Sequence, residues 1–216
     1  MPAPLLRGAR ALRPAAVAGV LGLAGVAVAL AGAHHGGARP PGTGRAGSVG
    51  AGGMVVSAGP GFDAAGLAGP VAPPRSCHTR RAADGMVLPD PRCTPGAVDA
   101  AVDRAGASAT VCRPGWSARL RPPEALTEPD KRRALAAYGE GGPPSAYELD
   151  HLVPLELGGS SATANLWPEP DDRPRPGVAN SKDPVEDALH ALVCRGRRGR
   201  RPPLGLAQRL VAENWT

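Results

Sequence analysis

The stretch that most constrains this chain runs from residue 147 to residue 170 and reads YELDHLVPLELGGSSATANLWPEP. It contains two short apolar runs on either side of the pair Gly158 and Gly159. Runs of this kind around a glycine turn predict a strand, a loop and a second strand. The first run carries Asp150 and His151, which places a carboxylate beside an imidazole that can take up a proton near neutral pH. The pair alone also fits a hairpin in which Asp150 merely orients His151.

A helix is predicted after this hairpin and a polar loop. Asp183 is expected to cap its N-terminus, with Pro184 at the first helical position and Glu186 at the third. Glu186 and His190 are four residues apart, so their side chains project from the same side of the helix. The apolar face that should pack on the hairpin comprises Val185, Leu189 and Leu192.

This stretch resembles the HNH, or ββα-metal, nuclease finger, and with the helix it forms a finger core at residues 147–195. More narrowly, the chain from Cys77 onward is similar to a group of secreted, cysteine-containing bacterial HNH-like proteins. The resemblance implies a small, disulfide-stabilised α+β domain at residues 76–216, with flanking helices around the finger. The residues that match the family motif are Asp150, His151, Leu152, Pro154, Leu155, Gly158, Gly159, Asn165 and Leu166.

The resemblance also implies roles for individual residues. His151 is expected to be the general base, Asp150 a metal ligand, and Asn165 the residue that holds the loop and so orients His151. Glu186 and His190 are expected to be the helix ligands, because an i, i+4 pair can chelate one ion. Asp187 and Asn180 are alternative ligands. Glu186 could instead close a capping box, and His190 could be a surface or hydrogen-bonded histidine.

The implied activity is metal-dependent hydrolysis of phosphodiester bonds, with DNA favoured and RNA as an alternative substrate. Such hydrolysis needs a base for water and a cation that neutralises the developing charge. We expect one divalent ion, Mg²⁺ first and Mn²⁺, Ni²⁺ or Zn²⁺ as alternatives, no small-molecule cofactor, and a monomer. The alternative function is a non-catalytic, envelope-associated binding module that keeps the finger as a scaffold.

Five arginines follow the predicted helix within seven residues. Because arginine binds phosphate oxygens bidentately, this run predicts contact with nucleic acid. A solvated loop enriched by codon bias is the alternative. The net charge of +6 falls to +3 without residues 1–33, which favours an anionic partner only mildly. The run comprises Arg195, Arg197, Arg198, Arg200 and Arg201.

Residues 1–33 are predicted to be a signal peptide, because three arginines precede an apolar run that ends in the small-residue sequence AGA. The run is also about as long as a membrane span, so an uncleaved N-terminal anchor is the alternative. Residues 34–75 have few large apolar side chains and are predicted to be a flexible Gly/Ala/Pro linker. The folded part is therefore expected to be secreted or envelope-associated, with membrane contact only if the segment is uncleaved.

Four cysteines stand at positions 77, 93, 112 and 194, without a C-x-x-C pair. An even count in an exported chain predicts two disulfides, for which three pairings exist. Cys77 and Cys93 bracket a turn-rich segment and form the favoured local bridge, which leaves Cys112 to reach Cys194. Free buried thiols are the alternative.

Four further elements are predicted outside the finger. Residues 97–111 are weakly helical, and residues 116–120 read as a short strand. A helix is expected from a Thr127 cap to Tyr138, because a glycine follows. The last amphipathic helix, residues 204–215, is expected to bury Leu206, Leu210 and Val211.

Overall fold

The computed structural model of the chain describes residues 48–49, 53–173 and 180–216. The signal peptide or anchor predicted for residues 1–33 lies outside the described residues. Those that are described belong to one compact unit of mixed α and β structure, in agreement with the predicted fold class. Within this part of the chain, no helix is both long and apolar enough to cross a membrane.

The strands are short and the helices surround them. The strands are β1 (Ser48–Val49), β2 (Val55–Ser57), β3 (Phe62–Asp63), β4 (Gly66–Leu67), β5 (Arg80–Arg81), β6 (Val87–Leu88), β7 (Ala97–Asp99), β8 (Tyr147–His151) and β9 (Leu166–Pro170). The helices are α1 (Ala100–Ala105), α2 (Trp116–Leu120), α3 (Glu124–Tyr138), α4 (Asp183–Arg195) and α5 (Leu204–Glu213).

The predicted hairpin is confirmed, because β8 and β9 pair antiparallel from Tyr147 opposite Pro170 to His151 opposite Leu166. The loop between them contains two 3₁₀ turns, Leu155–Leu157 and Thr163–Asn165. Helix α4 packs against the first of these turns and against α5. Lys182, one residue before α4, donates from its side chain to the His151 carbonyl at 2.9 Å, which places the start of α4 beside the end of β8.

The linker prediction for residues 34–75 is wrong from residue 54 onward. Strand β2 pairs in parallel with β7, and Met54 is buried in the core. The Ser161 amide donates to the Pro60 carbonyl at 2.6 Å. A Cβ on Gly61, whose φ is +90°, would lie 2.1 Å from the Ala162 nitrogen. Backbone pairing and close glycine contacts hold this segment, so it needs few large apolar side chains.

Two local predictions are also corrected in the middle of the chain. Residues 116–120 form helix α2 and not a strand; Gly115 before it adopts the left-handed conformation that only glycine takes without strain. Helix α3 begins at Glu124, three residues before the predicted Thr127 cap. Pro123 is the extended residue that precedes its first turn. It ends at Tyr138 before Gly139, as predicted.

The last helix buries a different face from the predicted one. Leu206 and Leu210 are 39% and 47% exposed, whereas Val211 is fully buried. The helix begins at Leu204, as predicted, and its inward positions are Ala207, Gln208 and Val211, which follow helical spacing. The Gln208 side chain donates to the Leu157 carbonyl at 2.8 Å and so ties α5 to the hairpin loop.

Trp167 lies at the centre of the core, with its ring 6.5 Å from Tyr138 and 5.9 Å from Trp215. Around it pack aliphatic side chains from the loop and from α4 and α5. Both predicted disulfides, Cys77–Cys93 and Cys112–Cys194, are present. The second bridge joins the segment before α2 to the last turn of α4.

Candidate functional site

One face of the hairpin is acidic because strand residues alternate between two faces. Glu148 and Asp150 are two residues apart on β8, and their partners across the ladder are Glu169 and Trp167. These four side chains therefore share one face. His151 follows Asp150 directly and points to the opposite face.

A lysine lies on the acidic face. The Lys182 ammonium donates to Asp150 Oδ2 at 2.8 Å and to the His151 carbonyl at 2.9 Å, and it forms a third hydrogen bond to Glu186 Oε1. Its side chain is fully buried. Three bonds use all the donors of an ammonium group, so this buried charge is fully compensated.

Two tryptophan side chains contact the Asp150–Lys182 pair, one on each partner. The Trp167 indole N–H donates to the same Asp150 oxygen at 2.9 Å, and the Trp215 ring lies 5.6 Å from the ammonium. Burial alone would lower the pKa of Lys182, but the carboxylates of Asp150 and Glu186 outweigh it and raise that pKa. The lysine is therefore charged at every physiological pH.

Glu169 differs from its acidic neighbours. Burial, followed by the negative charge of Asp150, raises its pKa to about 10, so this acid is neutral at pH 7. Its Oε2 is buried and has no hydrogen-bond partner among the residues described. The acidic face thus combines a compensated ion pair with a protonated carboxyl group.

Asn165 is hydrogen-bonded to the loop through both polar atoms of its side chain. Its side-chain oxygen accepts from the amides of Ala97 and Val153, at 3.1 and 2.9 Å. Its side-chain nitrogen donates to the carbonyls of Val153 and Ser160, at 2.9 and 2.8 Å. The side chain is completely buried, so these bonds fix the loop on either side of His151's partner, Ser161.

His151 lies at the end of β8 and is 8% exposed. Its Nε2 is 2.9 Å from Ser161 Oγ. Burial lowers the pKa of His151 to about 4; the Asp150 carboxylate opposes this shift, and the Arg121 charge adds to it. The ring is therefore neutral at pH 7, which is the form that a general base requires.

A cleft of about 490 Å³ opens beside His151. The exposed Arg121, which precedes α3, and Lys131 of α3 both line it. Carboxylates line it as well, so its formal charge is mixed. These acids are Glu124, Glu128, Glu148 and Asp171.

Of the two predicted helix ligands, only Glu186 lies beside Asp150. Glu186 bonds to Lys182, but His190 Nε2 lies 3.0 Å from the Val111 carbonyl, near the Cys112–Cys194 bridge. The alternatives do not join them either, because Asp187 is exposed and Asn180 Oδ1 accepts from the amides of Lys182 and Asp183 at 3.1 Å. Asn180 thereby takes the capping role predicted for Asp183.

As arranged, these residues do not fit the divalent ion that the resemblance implies. Among the described residues, no three His, Cys, Asp or Glu side chains are grouped so that they could hold a metal. The cation between Asp150 and Glu186 is the ammonium of Lys182. The capping box is also absent, since Glu186 reaches this ammonium.

The arginine run lies apart from the His151 cleft. All five arginines are exposed, and residues 197–200 form a turn closed by a bridge between Arg197 and Arg200. Arg195 lines a second groove with His190, which shares no lining residue with the cleft. Exposed arginines are compatible both with a contact to nucleic acid and with a solvated loop. The contact of this run with nucleic acid therefore stays a prediction.

Comparison with protein-family models, curated proteins and solved structures finds no match to this chain. The sequence did not single out Lys182, Ser161 or Arg121, nor the acidic residues Glu148 and Glu169 on the face of Asp150. Of these residues, only Lys182 could have been found from the sequence. It stands four residues before Glu186, which is the spacing of an ion pair on a helix.

Proposed function

We propose that the chain is an HNH-type endonuclease that hydrolyses phosphodiester bonds, with His151 as the general base. The observation that carries this proposal is a neutral His151, bonded through Nε2 to Ser161, at the wall of a cleft that also contains Arg121. Phosphodiester hydrolysis needs a base that activates water and a cation that neutralises the developing charge. This cleft contains His151 for the first role and Arg121 for the second.

The proposed chemistry follows from the contacts of the imidazole. With the proton on Nε2 and directed at Ser161 Oγ, the lone pair on Nδ1 is free to accept a proton. Nδ1 takes this proton from a water molecule while the water oxygen attacks phosphorus. The bond from phosphorus to the leaving oxygen then breaks, and that oxygen is protonated by solvent. Arg121 and Lys131 neutralise charge on the phosphoryl oxygens.

The substrate class follows from the size and position of the cleft. The cleft is open and is lined by Arg121 and Lys131, which could contact the phosphates of an extended nucleic acid strand. DNA is the favoured substrate and RNA the alternative. The two disulfides are compatible with an oxidising, extracytoplasmic location, and export of the chain is part of the proposal.

Plasmid nicking by the purified chain tests this function. His151→Ala should reduce the nicking rate by about two to four orders of magnitude, because the base that activates water is lost. His78→Ala is the matched control, since His78 is exposed and lies outside the cleft. The proposal fails if the wild-type chain nicks no nucleic acid in either EDTA or divalent metal, or if both variants lose the same activity.

A second candidate function is the non-catalytic binding module. The Lys182 ion pair favours it, because a finger whose cation is a buried side chain can serve as a rigid scaffold without a metal. This candidate predicts a folded chain that binds nucleic acid or an envelope component and cleaves nothing under either assay condition.

A further inference from the structure

The Lys182 ammonium lies where the resemblance to the HNH finger implies a divalent ion. It meets three oxygens: Asp150 Oδ2, Glu186 Oε1 and the His151 carbonyl. Carboxylate and carbonyl oxygens are also the ligands that Mg²⁺ and Ca²⁺ prefer. The position is thus built for a cation.

The distances suit an ammonium group better than a small divalent ion. The nitrogen is 2.8 and 2.9 Å from the oxygens of Asp150 and the His151 carbonyl. These are ordinary hydrogen-bond lengths, whereas Mg²⁺ requires oxygens at about 2.0–2.1 Å in octahedral geometry. A metal would need both oxygens to move inward and the ammonium to leave.

The lysine is anchored so that it cannot leave easily. Its backbone amide donates to Asn180 Oδ1 at 3.1 Å, its side chain is fully buried, and the Trp215 ring lies 5.6 Å from the ammonium. Lys182 also stands one residue before α4. It therefore connects the start of this helix to the end of β8 through its side chain.

We infer that the Lys182 ammonium is the permanent cation of this site and takes the place of the divalent ion. The folded chain binds no divalent metal between Asp150 and Glu186, and neither its stability nor its activity depends on one. The statement about activity rests on the proposed nuclease function, whereas the statement about metal binding and stability does not.

The inference predicts what happens when the ammonium is removed. Lys182→Met keeps most of the side-chain volume but leaves Asp150 and Glu186 as buried, uncompensated acids on a face that also contains Glu169. A divalent ion then neutralises them. This variant should be less stable than the wild type in EDTA, and it should gain both Mn²⁺ binding and thermal stability when Mn²⁺ is added.

The test is Mn²⁺ titration of the full chain, followed by electron paramagnetic resonance, together with thermal unfolding in EDTA and in Mn²⁺. The wild type and the control Arg209→Met, an exposed substitution on α5, should bind no Mn²⁺ and unfold at the same temperature in both solutions. Asp150→Asn in the wild-type background should lower the unfolding temperature, and Mn²⁺ should not change that decrease.

Each other result overturns the inference. One Mn²⁺ bound by the wild type and lost in Asp150→Asn would identify a metal site, and so would a wild-type unfolding temperature that falls in EDTA. A folded Lys182→Met that gains no Mn²⁺ would show that the acids form no cation site. If Lys182→Met does not fold, the Mn²⁺ titration and thermal unfolding of the wild type and Asp150→Asn still test the inference.

Plasmid nicking separates this inference from the proposed function. Nicking that persists in EDTA supports both, and nicking only with added metal refutes the inference while the nuclease function stands. If no nicking occurs in either solution, the nuclease function fails, and the Mn²⁺ titration still decides whether Lys182 is the permanent cation.

Discussion

At the scale of single residues, burial determines how His151 titrates. The sequence suggests an ordinary histidine, which loses its proton near pH 6.5. In the folded chain, burial in the hairpin end lowers the pKa to about 4. The neutral form is therefore kept over most of the physiological range, and the bond to Ser161 holds the ring through Nε2.

We predict from this pKa that nicking stays constant between about pH 8 and pH 5 and falls only toward pH 4. Stability follows the same pKa with a definite sign. Below pH 6.5 the unfolded chain takes up a proton on His151 and the folded chain does not, so the free energy of unfolding falls by at most about 3 kcal/mol as the pH drops to 4.

A pH profile of nicking, with denaturant unfolding at the same pH values, measures both effects. Ser161→Ala should lower the nicking rate about tenfold, because a buried ring nitrogen loses its partner, and should change the acid limb of the profile. An unshifted profile in Ser161→Ala, or a wild-type midpoint near pH 6.5, would contradict this description of His151.

At the scale of elements, the segment before the first cysteine supports the hairpin loop. Strand β2 joins β7, and Gly61 lies against the backbone of Ser161 and Ala162 and the Ser160 hydroxyl. The loop that presents Ser161 to His151 is therefore enclosed by a segment that composition assigned to a linker.

We predict that Gly61→Ala destabilises the chain by about 1–3 kcal/mol. Its φ of +90° disfavours a side chain, and the new Cβ would overlap backbone atoms that cannot move alone. Gly59→Ala is the matched control, since its Cβ would meet no atom within 4 Å. Chemical denaturation of both variants provides the comparison, and equal stabilities would contradict the role assigned to this segment.

The hairpin and the last two helices could be predicted because periodicity and turn residues act locally. Positions that depend on distant partners could not. Lys182 reads as a surface residue until Asp150 is brought beside it, and Ser161 carries no local signal at all. The spacing of Leu206 and Leu210 fits a helix and predicts that both are buried. Which face of α5 is buried, however, depends on where the helix contacts the hairpin loop.

At the scale of the whole molecule, two disulfides add to a core that contains few aromatic residues, since these make up only 3% of the chain. Cys77–Cys93 closes a loop of 16 residues and Cys112–Cys194 one of 82. The loop-closure entropy of such bridges stabilises the folded state by about 3 and 4–5 kcal/mol respectively.

We therefore predict that replacing both Cys112 and Cys194 with serine costs more stability than replacing Cys77 and Cys93. The 82-residue bridge also ties α4 in place, so its loss should loosen the contact of Lys182 with Asp150. Urea unfolding of the two double variants measures the difference. A larger loss for the 77–93 pair would mean that local packing, and not chain entropy, dominates.

The long bridge also has a consequence for the cell that makes the protein. Cysteines stay reduced in the cytosol, so the chain reaches its full stability only in an oxidising compartment. If the chain cuts DNA, disulfide formation would control its activity. The newly made, reduced enzyme would be too unstable to cleave the genome of the cell that makes it. Growth should then be impaired when residues 34–216 are produced in a cytosol that permits disulfides, whereas a host with a reducing cytosol should tolerate them.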